Sequence, residues 1–187
     1  MTTIALIRHV TLLIDRGVCD AAEAARHAIL YDTTQSLALY QTDKFKSSAA
    51  YEKIARISRI YSSPLPRAAL TAQKLFPHRR DIEYLEALRE FNLRIFPVPL
   101  IKMPFDCWLV LSRLLWLCGM NPSGASAKAE RRRALDLMPS LLEADTAVIA
   151  HGFVLRVIRR SARRAGYRLI YRFCEGCFCV EIWQRAA

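Results

Sequence analysis

The chain has 187 residues, of which 53% are hydrophobic and 24% are charged, and its formal net charge is +11. This balance excludes an intrinsically disordered chain and favours one globular domain with a sizeable core. The positive charge favours anionic partners, which include phosphorylated metabolites, nucleic acids and membrane surfaces. The most apolar stretch, residues 105–120, is interrupted by polar residues and is too short to cross a bilayer comfortably. We therefore expect a buried or lid-forming helix there, and no membrane span.

The first half of the chain alternates predicted strands and helices. Residues 3–8 are mostly apolar without alternation, which is typical of a buried parallel strand. An alanine-rich segment predicts a helix over residues 20–31, with Asp20 as its N-cap. Further predictions are a helix at 47–57, a strand at 59–62, a helix that begins near Pro66 and a short strand at 82–85.

In the second half, three prolines predict irregular backbone over residues 96–104. A helix over residues 126–143 should bend or break at Pro139. The last predicted elements are a buried strand, a helix with an arginine-rich face and an alternating strand, over residues 146–150, 153–165 and 173–183. Strands that alternate with helices imply α/β layers around a mostly parallel sheet.

Side chains suited to phosphate chemistry follow the predicted strands. Arg8 and His9 come directly after residues 4–7, and His151 comes directly after residues 147–150. Arg67 opens the helix that follows the strand at 59–62. Because open α/β folds bind ligands at the carboxyl edge of the sheet, we expect these side chains to meet there.

Phosphoryl transfer requires the residue types found at these positions. Arginine grips phosphate oxygens, a neutral imidazole can attack phosphorus, and a carboxylic acid such as Glu90 can protonate the leaving oxygen. Taken singly, each residue has a simpler explanation, such as a surface ion pair, a strand end or a solvated first-turn arginine. Their joint placement after apolar strands favours an anion site that carries a nucleophile.

Four sequence blocks resemble those of the histidine phosphatase superfamily, which has the phosphoglycerate-mutase-like fold. The blocks occur in the expected order, and the second and fourth are the most specific. They cover residues 4–9, 62–72, 88–90 and 148–156. The resemblance implies a three-layer sandwich formed by a mostly parallel central sheet between helices, as a single domain over residues 1–187. It also implies that a cap over the pocket lies at about residues 91–125.

The resemblance further implies roles for individual residues. His9 would be the nucleophile that becomes phosphohistidine, and Glu90 would donate a proton to the leaving group. Arg8, Arg67 and His151 would bind the transferring phosphoryl group. No metal and no organic cofactor is implied. The expected activity is hydrolysis of phosphate monoesters, with a phosphorylated small molecule or a phosphopeptide as substrate.

The chain departs from the family pattern at three places. Val10 stands where the motif has glycine, and a β-branched residue there would restrict the backbone and crowd the phosphate. Ala125 stands where relatives often carry glutamate, and residues 92–94 replace the usual continuation after Glu90. These departures motivate an alternative, in which the chain binds phosphorylated ligands without turnover. A mutase of the phosphoglycerate type is a further alternative within the same fold.

Two other features suggest different functions. Three cysteines lie within residues 174–179, but a structural zinc site needs four ligands and no second pair is close in sequence, so we expect no metal. The arginine face of residues 156–164 could contact nucleic acid, although such a face is usually only solvated. The N-terminus leads directly into a strand without a secretory segment, so we expect a cytoplasmic protein with reduced thiols.

Overall fold

The computed structural model describes residues 1–92, 94–120 and 125–186. Its strands are β1 (Thr2–Arg8), β2 (Val18–Cys19), β3 (Arg59–Ser62), β4 (Ile82–Tyr84), β5 (Met103–Pro104), β6 (Thr146–Ala150), β7 (Arg168–Glu175) and β8 (Phe178–Arg185). Its α-helices are α1 (Ala21–Thr33), α2 (Tyr40–Lys46), α3 (Ala49–Ala55), α4 (Pro66–Leu75), α5 (Phe105–Leu117), α6 (Ala127–Leu135), α7 (Met138–Leu142) and α8 (Gly152–Arg164). A short 3-10 helix spans Glu86–Leu88.

Six strands form one sheet in the order β4-β3-β6-β1-β8-β7, while β2 and β5 form a separate pair. The four strands β4, β3, β6 and β1 run parallel, and β8 and β7 complete the sheet in antiparallel pairings. The predicted mostly parallel sheet is therefore confirmed. Because β6 lies between β3 and β1, the carboxyl ends of these three strands meet at one edge of the sheet.

The sheet is covered on both faces, as alternate residues of β1 illustrate. Ile4 and Leu6 pack with residues of α6, α7 and α8 on one face, whereas Ala5 and Ile7 pack with residues of α2, α3 and α4 on the other. All four side chains are fully or almost fully buried. Burial on both faces explains why residues 4–7 of β1 are all apolar, and it confirms the expected three-layer α/β sandwich.

A third hydrophobic cluster joins α1 and α5 outside the two main layers. Phe105 and Trp108 of α5 are fully buried against Ala24 of α1, and the Trp108 Nε1–H donates to the Cys19 carbonyl at 2.9 Å. The helix α5, which lies within the region predicted as a cap, thus packs on α1, whose part in this region was not predicted. Within the described residues, no helix is long and apolar enough to cross a membrane.

Local sequence signals placed several helix ends correctly. Asp20 caps α1 in a reciprocal capping box with Glu23, and Pro66 occupies the first turn of α4. The helix predicted over residues 126–143 is broken, as expected, into α6 and α7. Pro139 has no N–H to donate to the carbonyl four residues earlier, so it is accommodated in the first turn of α7 instead of the interior of one long helix.

The prediction of one final strand over residues 173–183 is wrong. Gly176, with φ of 59°, turns the chain between β7 and β8, which pair as an antiparallel hairpin. The short elements α2, β2 and β5 were also missed. Cys174 and Cys179 face each other across the hairpin and form a disulfide, so the expectation of reduced thiols is wrong for this pair. The other four cysteines are free.

The turn of this hairpin docks on the loop that follows β1. The Cys177 N–H donates to Thr11 Oγ1 at 2.9 Å, and Gln41 both accepts from the Thr11 N–H and donates to Thr11 Oγ1. A Cβ on Gly176 would lie only 2.5 Å from Thr11 Oγ1 and 2.9 Å from Gln41 Nε2. Glycine is therefore required at this position by both its backbone angle and its close neighbours.

We expect Gly176→Ala to destabilise the protein more than Gly119→Ala. Both glycines have positive φ, but a Cβ on Gly119 would meet no atom of residues 1–92, 94–120 or 125–186 within 4 Å, so that variant reports backbone strain. Strain should lower the free energy of unfolding by about 1 kcal/mol in each variant, and the clash with Thr11 should remove roughly a further 1–3 kcal/mol in Gly176→Ala. Urea unfolding measures both; equal losses would contradict the docking contact.

Candidate active site

The carboxyl edge of the sheet brings together the four basic side chains predicted to meet there. Arg8 ends β1, the His9 N–H donates to the Ala150 carbonyl at 3.2 Å, and His151 follows β6 directly. The rings of His9 and His151 lie 5.1 Å apart between centroids. Arg67, in the first turn of α4, donates through Nε to His151 Nδ1 at 3.2 Å. The predicted convergence of these residues is confirmed.

His9 is 1% exposed and is held in one tautomer. Its Nδ1 lies 2.7 Å from the Val10 carbonyl. Because a carbonyl can only accept, Nδ1 carries the proton, and the neutral ring keeps its lone pair on Nε2. Burial, with the positive charges of Arg67 and Arg8 adding to it, lowers the pKa of His9 to about 3. The imidazole is therefore neutral over the physiological pH range and has a nitrogen lone pair available.

His151 is fully buried and has the opposite tautomer. Because the Arg67 guanidinium can only donate, His151 Nδ1 accepts, and its Nε2–H donates to Ser63 Oγ at 2.8 Å. Burial lowers the pKa of His151 well below its ordinary value, and the charge of Arg67 lowers it further. Ser63 lies in the second sequence block, residues 62–72, but was given no role. Its position directly after β3 was the signal that could have identified it as the partner of His151.

Arg67 is buried to 1% exposure, and three groups orient its guanidinium. Besides the bond to His151, its Nη1 donates to the Tyr31 carbonyl at 3.0 Å and to Asp32 Oδ1 at 2.8 Å. The guanidinium also stacks over the Tyr31 ring at 4.8 Å. Both partners belong to the last turns of α1, a helix in which the sequence offered no functional signal. Since Asp32 is exposed, the ion pair lies at the rim of the site.

Arg8 has an unsatisfied donor. Its guanidinium lies beside Gly152, the first residue of α8, and its Nε is buried without a hydrogen-bond partner in the described part of the chain. A buried donor without a partner is unfavourable unless a ligand accepts from it. The first N–H groups of α8 also lack partners within the helix, so this corner of the site is electropositive.

Glu90 lies beyond the 3-10 helix, at the junction of two cavities of about 580 Å³ and about 420 Å³. It and Arg113, which α5 contributes, line both cavities. Burial raises the pKa of Glu90 above its usual range, while the charge of Arg113 and the Phe91 N–H, which donates to Glu90 Oε1 at 3.2 Å, oppose the rise. The carboxyl therefore keeps its proton to higher pH than an exposed glutamate would. Arg113 was not predicted, because it interrupts an apolar stretch.

Val10, the substitution for glycine beside His9, packs in the core. Its side chain is fully buried in the cluster that includes Ala68 and Ala72 of α4, and its N–H donates to Thr71 Oγ1 at 3.2 Å. Its φ is not positive, so the backbone here does not require glycine. Val10 lines neither of the two cavities, so the expected crowding of a phosphate is not observed at them.

The other two departures from the motif lie near the limits of the described chain. The Ala125 carbonyl accepts from Trp116 Nε1 at 2.8 Å, whereas the residues before it, 121–124, lie outside the described residues. In the segment 92–94, residue 93 also lies outside them. Across the described ranges, no group of three or more histidine, cysteine, aspartate or glutamate side chains could hold a metal ion.

A profile of the histidine phosphatase superfamily (branch 1) matches residues 37–182. This chain therefore belongs to the histidine phosphatase superfamily. The matched range includes Arg67, Glu90 and His151, and it begins after Arg8 and His9, whose place beside them rests on the structure. No curated protein sequence matches the chain.

Several solved structures share the fold. YhfR of Bacillus stearothermophilus is 19% identical, with a TM-score of 0.55 over 88% of this chain and 81% of that one. A mycobacterial glucosyl-3-phosphoglycerate phosphatase is 14% identical, with a TM-score of 0.53 over all of both chains. An Escherichia coli protein described as a putative alpha-ribazole-5'-P phosphatase is 17% identical, with a TM-score of 0.52 over 87% of this chain and 79% of that one. At these identities the likeness concerns the fold alone.

The buried neutral histidine should make stability depend on pH. The unfolded chain binds a proton at His9 below the ordinary pKa of 6.5, whereas the native protein does so only near 3, so the free energy of unfolding falls as the pH drops through this window. His9→Gln should reduce the slope of unfolding free energy against pH by up to about 1.4 kcal/mol per unit. Urea unfolding at several pH values measures the slope, with His78→Gln, at an exposed histidine, as matched control. An unchanged slope in His9→Gln would mean that native His9 titrates normally.

Proposed function

We propose that this protein is a phosphatase that hydrolyses phosphate monoesters through a phosphohistidine intermediate on His9. The observation that carries the proposal is the neutral imidazole of His9, with its lone pair on Nε2, among two arginines and a second histidine. The substrate would be a phosphorylated small molecule or a phosphopeptide. Family membership and a fold shared with proteins described as phosphatases support the proposal.

In the proposed reaction, His9 Nε2 attacks phosphorus and the bond to the ester oxygen breaks. Arg8 and Arg67 neutralise the phosphoryl oxygens, and the His151 Nε2–H, which Ser63 now accepts, is available as a further donor. Glu90, whose pKa is raised by burial, donates its proton to the leaving oxygen. Water then attacks phosphorus and the bond from phosphorus to His9 Nε2 breaks. Glu90, ionised after the first step, takes up a proton from the water, and inorganic phosphate leaves.

The two cavities suit different parts of this reaction. The larger cavity is lined by Glu90, by Arg67 and by residues of α1 and α5, so the leaving group would extend from Glu90 into the space between these helices. We propose that residues 91–125 act with α1 as the cap of the single domain, and that the cap selects the substrate. A cytoplasmic location, where phosphorylated metabolites are abundant, is the compartment we propose.

His9→Ala should abolish the release of inorganic phosphate from an aryl phosphate, because the nucleophile is lost. Colourimetric phosphate release checks this, and acid-labile labelling of the wild type, absent in His9→Ala, checks the phosphohistidine. If the wild type releases no phosphate from a broad panel of esters, the proposal fails. Vanadate that raises the melting temperature without any turnover would instead favour the alternative of a ligand-binding protein.

Glu90→Gln should impair alkyl phosphates far more than aryl phosphates. An alkoxide is a poor leaving group and needs the proton, whereas a nitrophenolate leaves without one, so we expect a loss of roughly 10²–10⁴-fold for the alkyl ester and a much smaller loss for the aryl ester. With the alkyl ester, wild-type kcat/KM should fall as the pH rises through the elevated pKa of Glu90. Steady-state kinetics with the two esters measures both effects. Equal losses for both esters would remove Glu90 from the role of acid.

A further inference from the structure

The smaller cavity, of about 420 Å³, is strongly basic and adjoins the proposed phosphate site. Its volume lies within the range of roughly 300–1,000 Å³ typical of small-molecule sites. Arg8 and Glu90 lie in its wall, so a ligand in this cavity would reach the reacting phosphoryl group. The arginines that line it are Arg8, Arg113, Arg156, Arg159 and Arg172, and the acids are Glu90 and Glu181.

One of the two acids is already committed to two of the arginines. Glu181 on β8 is buried, and it forms ion pairs with Arg159 at 2.7 Å and with Arg172 at 3.3 Å. These contacts correct the interpretation of the α8 arginine face as merely solvated, because Arg159 is tied to the sheet. The other acid, Glu90, forms no ion pair with an arginine in the described part of the chain, and burial raises its pKa. Arg8, Arg113 and Arg156 therefore have positive charge that no ion pair in the cavity wall offsets.

Arg113 and Arg156 converge on a single aromatic ring. The guanidinium carbon of Arg113 lies 4.7 Å from the centroid of Phe153, and that of Arg156 lies 5.5 Å from it. No carboxylate in the described part of the chain lies within ion-pair distance of either. Stacking fixes the planar groups and leaves their N–H edges available to an acceptor. These two like charges line the same cavity as Arg8, whose Nε lacks a partner, and such a group of donors suits an anion.

In the larger cavity, by contrast, most of the arginines have partners within the protein. Arg133 is bound to Glu130 and to the carbonyls of Glu86 and Arg89, and Arg89 is paired with Glu86. Arg67 is paired with Asp32, so among the arginines of the larger cavity only Arg113, which lines both cavities, has no ion pair in the described part of the chain. The contrast assigns an anionic ligand to the smaller cavity and leaves the larger one for an uncharged or weakly polar group.

We propose that the smaller cavity binds a second anionic group of the substrate, a phosphoryl or a carboxylate, through Arg113 and Arg156 while Arg8 contacts the reacting phosphoryl group. The preferred substrates are then bisphosphates or phosphorylated acids rather than simple monophosphates. This inference rests on the proposed function, which identifies the phosphoryl group beside His9 as the one that is hydrolysed. The binding preference itself does not require turnover.

The test compares three ligands that differ only at one end: propyl phosphate, phosphooxypropanoate and propanediol bisphosphate. Their affinities are measured by calorimetry on His9→Ala, which retains the arginines but cannot turn over. We expect the two ligands with a second anion to bind about tenfold or more tightly than propyl phosphate, as charge-assisted hydrogen bonds predict. Adding Arg156→Gln should remove most of this advantage, and adding Arg113→Gln should do the same.

Arg160→Gln is the matched control, since it removes the same charge from an exposed position of α8 outside both cavities. It should keep the full advantage of the second anion. Equal affinity for all three ligands, or an advantage that survives Arg156→Gln and Arg113→Gln together, would overturn the inference. Inorganic sulfate provides a further check. If sulfate raises the affinity for propyl phosphate, and Arg156→Gln removes this effect, the cavity binds a separate anion and not a second group of the substrate, which would also overturn the inference.

The kinetic arm separates this inference from the proposed function. In the wild type, kcat/KM for propanediol bisphosphate should exceed that for propyl phosphate, and Arg156→Gln should lower the ratio of the two values about tenfold, mainly through KM. Turnover of both esters at equal efficiency would contradict the second-anion site while leaving the phosphatase intact. Selective binding of the bisphosphate without turnover of any ester would support the site and contradict the phosphatase.

Discussion

The site depends on one buried cation, the guanidinium of Arg67, and on the hydrogen bonds that hold it. Arg67 cannot give up its proton, so its contact with His151 Nδ1 forces that ring into the tautomer that donates to Ser63. Its charge also helps to keep both histidines neutral, by adding to the effect of their burial. Tyr31 and Asp32 accept hydrogen bonds from the Nη1 of the guanidinium, so α1 helps to orient the side chain of Arg67, which belongs to α4.

The positive charge at the site has consequences for what can bind. The Arg8 Nε is buried without a hydrogen-bond partner in the described part of the chain, so it has lost solvation free energy that an anion can restore. Asp32 compensates Arg67, and Glu181 compensates Arg159 and Arg172. Arg8, Arg113 and Arg156 are left, and they continue from the proposed phosphate site into the smaller cavity. The positions of the acidic residues thus indicate that a ligand supplies negative charge where arginines have no acidic partner.

Much of the fold could be predicted because local signals agreed with the tertiary structure. The apolar residues 4–7 of β1 and 147–150 of β6 are buried on both faces, Asp20 caps α1, and the prolines at 66 and 139 lie in first turns of helices. The hairpin of β7 and β8 was missed because one alternating pattern continued past Gly176, and only the docking of the turn on Thr11 shows why glycine stands there. The short helix α2 was also missed.

The sequence by itself determined the types of residue at the strand ends and their order, because a side chain that follows a buried strand is delivered to the edge of the sheet. Arg8, His9, Arg67, His151 and Glu90 could therefore be named as candidates. Only the tertiary structure decided the tautomers of the two histidines, the partners of Arg67 and the convergence of Arg113 with Arg156 on Phe153. These depend on contacts between elements distant in the chain, and on how far burial excludes water, neither of which a local pattern specifies.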